Sequence, residues 1–194
     1  MTDFDALYRS DPDPWSVASS WYERRKRGLL MAALPRERYR HALELGCGTG
    51  EMTRLLALRC ATLHAVDGSA AAIALCGKAI AADGLSNVRL SILQLPHDWP
   101  VQQDESADLI VVSELAYYFP DAQLNEFLRC CMHRLAPAGE WVMCHFRRDF
   151  HDRVQATGLL HRAVGRLPGL RRIVAHEDEA FLLDVWRKDD GASA

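Results

Sequence analysis

Leu43-Glu44-Leu45-Gly46-Cys47-Gly48-Thr49-Gly50 is the stretch on which the reading of this sequence turns. Residues 41–45 read as a short strand, stopped by Gly46. Met52, Leu55 and Leu56 then mark a helix running to about Arg59. A glycine-rich loop between strand and helix lets the backbone approach a ligand closely. A lone G-x-G-x-G is weak, but three features at compatible positions strengthen it. Glu44 stands at the strand end, two residues before the first glycine. Asp67-Gly68 closes the next strand, residues 62–66, where a carboxylate can accept from both hydroxyls of a ribose. Gln94 and Leu95 follow a third strand, residues 88–92, where an adenine would lie.

Outward from the loop, strand and helix alternate. Ile73, Cys76 and Ile80 recur at helical spacing, and Asp83-Gly84 closes that helix. Leu109-Ile110-Val111-Val112 is a continuous apolar run, as in a strand buried on both faces. Leu124, Phe127, Leu128, Cys131 and Leu135 share one helix face, which Pro137-Ala138-Gly139 ends. Residues 141–145 read as a fifth strand, 146–156 as a polar loop and 159–167 as a helix. Residues 170–175 and 181–186 are two strands joined by His176-Glu177-Asp178-Glu179. So short a turn demands an antiparallel hairpin, since a parallel crossover needs a dozen residues or more. The expected fold is therefore α/β, a mostly parallel sheet with one antiparallel strand near its end.

Before the first strand, Asp11-Pro12-Asp13-Pro14-Trp15 cannot be helix interior. A helix capped by Ser19 or Ser20 follows, with Tyr22, Leu29, Leu30 and Leu34 on one stripe up to Pro35. Residues 1–194 thus read as a single domain: an N-terminal helical arm over 1–40, a cofactor-binding core over 41–188, and a frayed end from Asp189.

The composition sets the class of partner. With 194 residues, 49% of them hydrophobic and 25% charged, the chain is ordinary globular, not disordered or fibrous. No apolar run approaches the ~18 residues of a membrane span, and Met1-Thr2-Asp3-Phe4-Asp5 has no secretory signature. A net charge of −3 argues against non-specific nucleic-acid binding. Arg24-Arg25-Lys26-Arg27 and Arg147-Arg148 read as a solvated helix face and a loop. The six cysteines form no C-x-x-C pair and sit mostly in apolar stretches, which suggests a reducing, cytoplasmic setting. His41 and His64 read as structural. His133, His151, His161 and His176 show no ligand spacing, so no metal is expected.

Two cofactors compete for such a loop. Dinucleotides use G-x-G-x-x-G and set a pyrophosphate on the helix N-terminus. Here Glu51 falls where the last glycine of that motif would be, and its charge would repel a pyrophosphate. S-adenosylmethionine carries an amino group and a sulfonium instead, so Glu44 becomes an asset. The electrostatics favour S-adenosylmethionine over NAD.

At these residues the sequence resembles the class I S-adenosylmethionine-dependent methyltransferases. Residues 44–50 look like their first motif, Asp67 like their second-strand acid and residues 108–114 like their fourth-strand motif. The likeness extends to the nodulation protein S-like subgroup. It is carried by Asp11-Pro12-Asp13-Pro14-Trp15, Tyr22-Glu23-Arg24-Arg25-Lys26-Arg27, Leu34-Pro35-Arg36-Glu37-Arg38-Tyr39, Ser113-Glu114 with Tyr117-Tyr118, and His176-Glu177-Asp178-Glu179. The resemblance implies a Rossmann-like sheet of seven strands in the order 3-2-1-4-5-7-6, strand seven antiparallel. It also implies N-methylation of a de-N-acetylated amino sugar. The sequence departs from the pattern at Gln94, where many relatives have an acid facing the adenine amino group; the Gln carbonyl can still accept that hydrogen bond. Residues 146–152 are no close match either.

The expected cofactor contacts are Glu44, Gly46, Cys47, Gly48, Gly50, Asp67, Gly68, Gln94, Leu95 and Ser113, with Trp15, Tyr22 and Arg25 from an arm that folds over as a lid. Arg25 or Tyr22 would lie near the cofactor carboxylate. Cys47 reads as a small residue fitting a tight turn. Methyl transfer from a sulfonium is one in-line displacement, so the enzyme mainly orients donor and acceptor, a contribution of about 7–11 kcal/mol. An amine acceptor must arrive neutral or lose its proton to a nearby base. Glu114, Tyr117 and His145 are the catalytic candidates at the strand ends, and Tyr118 adjoins them. Other small nitrogen or oxygen acceptors, a catalytically silent cofactor-binding module and an NAD-binding protein are the alternatives.

Overall fold

The computed structural model describes residues 2–100 and 106–191; residues 192–194, part of the segment expected to fray, lie outside the described residues. The strands are β1 (Tyr39–Leu45), β2 (Cys60–Asp67), β3 (Val88–Ile92), β4 (Ala107–Ser113), β5 (Leu135–Phe146), β6 (Leu170–Glu177) and β7 (Phe181–Lys188). They form one sheet of order β3-β2-β1-β4-β5-β7-β6. Neighbours from β3 to β5 are parallel, and β7 is antiparallel to both β5 and β6. This is the expected order, hairpin included.

The helices are α1 (Phe4–Ser10), α2 (Trp21–Ala33), α3 (Glu51–Ala57), α4 (Ala70–Ala82), α5 (Asp121–Arg134) and α6 (Thr157–Gly165), with a 3-10 turn at Ala116–Tyr118. Alternation along the central strands sorts the core into two faces. Leu43, Leu45, Ile110, Val112, Trp141 and Met143 meet Phe127 and Leu128 of α5 and Leu160 and Val164 of α6. Ala42, Leu109, Val111, Val142 and Cys144 meet Leu30 of α2 and Leu56 of α3. No helix among the described residues is long and apolar enough to cross a membrane.

Two elements differ from the expectation. Strand β5 starts at Leu135, not at residue 141. Ala107 pairs with Leu135 and Leu109 with Glu140, so the Pro137-Ala138-Gly139 stretch is accommodated as an irregularity within the pairing. The second difference is α1, which precedes the proline segment. Asp3 caps it by accepting from Ala6 N at 2.9 Å, and Asp5 pairs with Arg9 one turn on at 3.0 Å. Helix α2 begins at Trp21 with Ser20 as cap, its hydroxyl accepting from Glu23 N at 3.2 Å.

Candidate active site

The carboxyl ends of β1, β2, β4 and β5 open on one edge, where ligands bind in open α/β sheets. Gly46, Gly48 and Gly50 all take left-handed backbone angles, at φ +83°, +54° and +93°. The loop is pinned to β2: Gly46 N and Cys47 N donate to Val66 O at 2.9 and 3.0 Å. A Cβ on Gly50 would stand 2.5 Å from Cys76 Sγ, so only glycine fits there. Cys47 is buried against Ala65, Cys76 and Ile80, as a small residue in a tight turn should be.

Asp67 accepts from Gly48 N and Ser69 N, both at 2.9 Å, one on each carboxylate oxygen. Burial nevertheless pushes its carboxyl above the usual range, against the pull of these amides. Gln94 donates from Nε2 to Gly68 O at 2.7 Å, which turns its carbonyl oxygen into the group left for a further donor. A Cβ on Gly68 would meet that oxygen at 2.9 Å, so the two residues lie side by side. Leu95 is half-buried beside them. Glu44 projects to the α3 side of the sheet and is buried, with no hydrogen bond to its Oε2. Burial pushes it up to about 8, although the Thr53 hydroxyl pulls the other way.

The other half of the edge centres on Glu114, which follows Ser113 at the end of β4 and holds a left-handed backbone at φ +54°. Such angles are uncommon outside glycine and recur at functional sites. Its Oε2 accepts from the Tyr117 hydroxyl at 2.6 Å and from Phe146 N at 2.9 Å. Its Oε1 accepts from Lys26 Nζ at 2.6 Å, and the same ammonium reaches Glu23 at 2.8 Å. Burial is the largest influence on Lys26 and would lower it, but Glu114 and Glu23 together outweigh that and hold it above its usual value. Tyr117 is buried, and burial followed by the Glu114 charge raises its phenol far above the ordinary range. Its ring packs on Tyr118, Phe150 and His145 at 4.7, 5.0 and 5.2 Å.

His145 is fully buried, and its imidazole is held well below its usual pKa by burial, then by His161 and Lys26. Ala116 N donates to its Nε2 at 3.3 Å, and its Nδ1 meets His161 Nε2 at 3.1 Å. Both nitrogens of His145, a catalytic candidate in the sequence, are thus engaged within the protein, one of them by the 3-10 turn.

The arm departs furthest from expectation. The basic cluster is only half a solvated face: Arg24 and Arg25 are exposed, but Lys26 and Arg27 are only 4% and 7% exposed. Arg27 donates to Val17 O at 2.6 Å and stands 3.8 Å from Glu51, the residue after Gly50. Arg25 instead pairs with Asp178 of the β6–β7 turn at 2.7 Å. Tyr22 packs between Phe146 and Phe181, its hydroxyl buried without a partner. Trp15 stacks on Phe4 and Tyr8, and Phe4 on Tyr118 at 5.0 Å. Helix α1 lies over the glycine loop: a Cβ on Gly48 would be 3.0 Å from the Tyr8 hydroxyl. Asp5 accepts from Ser69 Oγ at 2.8 Å and Ala71 N at 2.9 Å, docking α1 on the start of α4. These two donors hold the Asp5 carboxyl below its usual value. The Asp3 cap and the Asp5–Arg9 spacing are the legible signals for α1; for Lys26 only the Glu23 spacing is local, and Glu114 is distant in sequence.

These groups fit S-adenosylmethionine. The unpaired Glu44 Oε2 and the Asp67 carboxylate suit a cationic ligand with hydroxyls, and the glycines leave no Cβ in its path. Among the described residues, no three His, Cys, Asp or Glu side chains gather as a metal site would require.

A family model described as a methyltransferase domain matches residues 42–139. Nodulation protein S of Rhizobium tropici is 30% identical over 139 residues, covering 67% of this chain and 53% of that protein. Nodulation protein S of Sinorhizobium fredii (strain NBRC 101917 / NGR234) is 30% identical over 184 residues, covering 90% and 74%. The chain therefore spans about half the length of the first relative and three quarters of the second. The crystal structure of the N-methyltransferase NodS from Bradyrhizobium japonicum WM9, in complex with S-adenosyl-L-homocysteine, has the same fold. Its TM-score is 0.80 at 24% identity, covering 94% of this chain and 96% of that one. The chain belongs to the class I S-adenosylmethionine-dependent methyltransferases. Within that class it stands in the nodulation protein S-like group, and its cofactor is S-adenosylmethionine.

Proposed function

We propose that this chain methylates the nitrogen of a small polar amine, such as a de-N-acetylated amino sugar. One observation carries the reading: Glu114, at the strand end, already holds a primary ammonium, Lys26 Nζ, at 2.6 Å. A carboxylate so placed can bind an acceptor ammonium and take its proton. Lys26 stays paired with Glu23 when Glu114 turns to the acceptor. Tyr117 and Phe146 N fix the other carboxylate oxygen, so Glu114 presents one lone-pair direction to the pocket. Bound S-adenosylmethionine supplies a methyl group already activated on sulfonium, so the chain's own work is placement and proton removal. The solved NodS of Bradyrhizobium japonicum WM9, described as an N-methyltransferase, supports nitrogen as the acceptor atom.

On this reading Asp67 takes the ribose hydroxyls, Gln94 and Leu95 border the adenine, and Glu44 with Gly46, Cys47, Gly48, Gly50, Gly68 and Ser113 forms the rest of the cofactor cradle. Residues 1–40 act as a lid on the core, 41–188, with Tyr8 over Gly48 and Trp15 packed on Tyr8. Arg27, beside Glu51, replaces Arg25 as the arm cation near the cofactor carboxylate. The acceptor fits between arm and strand ends, a space suited to a small molecule and not to nucleic acid. The six free cysteines accord with the cytoplasm. Incubation with methyl-labelled S-adenosylmethionine and a panel of amino sugars, other amines and phenols tests the reading. Label on amine nitrogen is expected; label on phenols alone, or on nothing, contradicts it.

A further inference from the structure

A chain of buried polar contacts runs behind the acceptor side of the site. Ala116 N donates to His145 Nε2 at 3.3 Å; His145 Nδ1 meets His161 Nε2 at 3.1 Å; His161 Nδ1 meets Asp184 Oδ2 at 2.7 Å. Arg172 closes it on Asp184 Oδ1 at 3.3 Å. The two rings are 0% and 4% exposed, and Asp184 is 5% exposed. The links belong to five separate segments: the 3-10 turn, β5, α6, β7 and β6.

A backbone amide can only donate, so His145 Nε2 must be the acceptor. A neutral His145 then carries its proton on Nδ1 and donates to His161 Nε2. His161 in turn carries its proton on Nδ1 and donates to Asp184. One carboxylate therefore fixes both tautomers, as a carboxylate hydrogen-bonded to one ring nitrogen fixes the proton position of a histidine. The opposite tautomer of His145 would set an N–H against the amide of Ala116. The turn so held carries Tyr117, whose hydroxyl lies 2.6 Å from Glu114.

We propose that His161 and Asp184 are positioning residues for methyl transfer: through His145 they set the Ala116–Tyr118 turn, and with it the Tyr117 hydroxyl on Glu114. This rests on Glu114 and Tyr117 being acceptor-side groups, as proposed above. Neither residue touches the cofactor cradle, so the acceptor side should respond and the cofactor side should not.

The test compares His161→Leu, which leaves the His145 Nδ1 proton without an acceptor, with His161→Gln, whose carbonyl can replace Nε2. Imidazole ¹⁵N shifts and amide exchange at Ala116 are read in the complex with S-adenosylhomocysteine and need no acceptor. In His161→Leu the His145 ring should lose its single tautomer and exchange at Ala116 should rise about tenfold, as a lost anchoring bond implies. Turnover of the best acceptor from the panel should fall on the order of 10- to 100-fold, the usual cost of a small misplacement. Affinity for S-adenosylhomocysteine should stay within about twofold. His161→Gln should restore the tautomer and most of the turnover. Asp184→Asn, isosteric with the native residue, should fall between the two if His161→Leu folds poorly. Native exchange at Ala116 in His161→Leu, no advantage of Gln over Leu, or loss of cofactor affinity in step with turnover would each overturn the proposal. Native turnover in Glu114→Gln would instead sink the reading of Glu114 and leave the exchange result at Ala116 to judge the relay.

Discussion

The two halves of the strand-end edge are built by different means. Around Gly46, Gly48 and Gly50 the surface is main chain, shaped by left-handed glycines and pinned to the adjacent strand. Around Glu114 it is side chain, assembled from Lys26 of α2, Tyr117 of the turn and the amide of Phe146 in β5. The first half depends on local backbone geometry and tolerates few residues. The second depends on long-range ion pairs and buried hydrogen bonds, which can be broken one at a time. Substitutions in the first half should thus remove the cofactor or the fold, and those in the second should spare both and remove turnover.

The largest effect is expected at Asp67. Its carboxylate closes the loop on Gly48 and is the proposed ribose anchor, and charged hydrogen bonds of this kind contribute about 1.5–3 kcal/mol each. Asp67→Ala should therefore abolish the calorimetric signal of S-adenosylhomocysteine binding. Unchanged affinity would remove the ribose assignment.

Gly50→Ala comes next. It combines φ +93° with a Cβ 2.5 Å from Cys76 Sγ, a strain plus overpacking cost of about 2–4 kcal/mol. Thermal unfolding should show the loss, and Cys76→Ala in the same chain should return part of it. A native melting temperature in Gly50→Ala would mean that the loop has more room than the structure gives it.

A smaller effect belongs to Glu44. Its pKa rises from the usual 4.5 to about 8 in the folded chain, so between those values the folded state keeps a proton that the unfolded state has lost. Stability from this group then falls as pH rises from about 4.5 to about 8. Glu44→Gln should flatten that slope in denaturation curves measured across the window, whereas an unaltered slope would place the titration elsewhere.

The contrast between the halves also explains what the sequence reveals. The glycine loop, Asp67 and the β6–β7 hairpin are legible because each signal lies within a few consecutive residues. Helix α1 has local signals as well, in Asp3 and the Asp5–Arg9 pair, but they are weak in a short helix beside two prolines. Lys26 looks like one more surface charge until α2 docks, because Glu114, the partner that brings it to the site, is 88 positions away. Arg25 and Arg27 are indistinguishable in sequence; the helix sends one to Asp178 and the other toward Glu51. His145 is a catalytic candidate in the sequence because it ends a strand at the ligand-binding edge, and the partners of its two nitrogens appear only once the 3-10 turn and α6 pack against it.

Glu114→Gln tests the division between the halves most directly, with S-adenosylhomocysteine affinity and turnover of the best acceptor measured on the same preparation. Affinity should stay within about twofold, since the residue stands outside the glycine cradle. Turnover should fall by about 10²–10⁴, the usual contribution of a positioned acid or base. Equal turnover, or a parallel loss of affinity and turnover, would contradict the account.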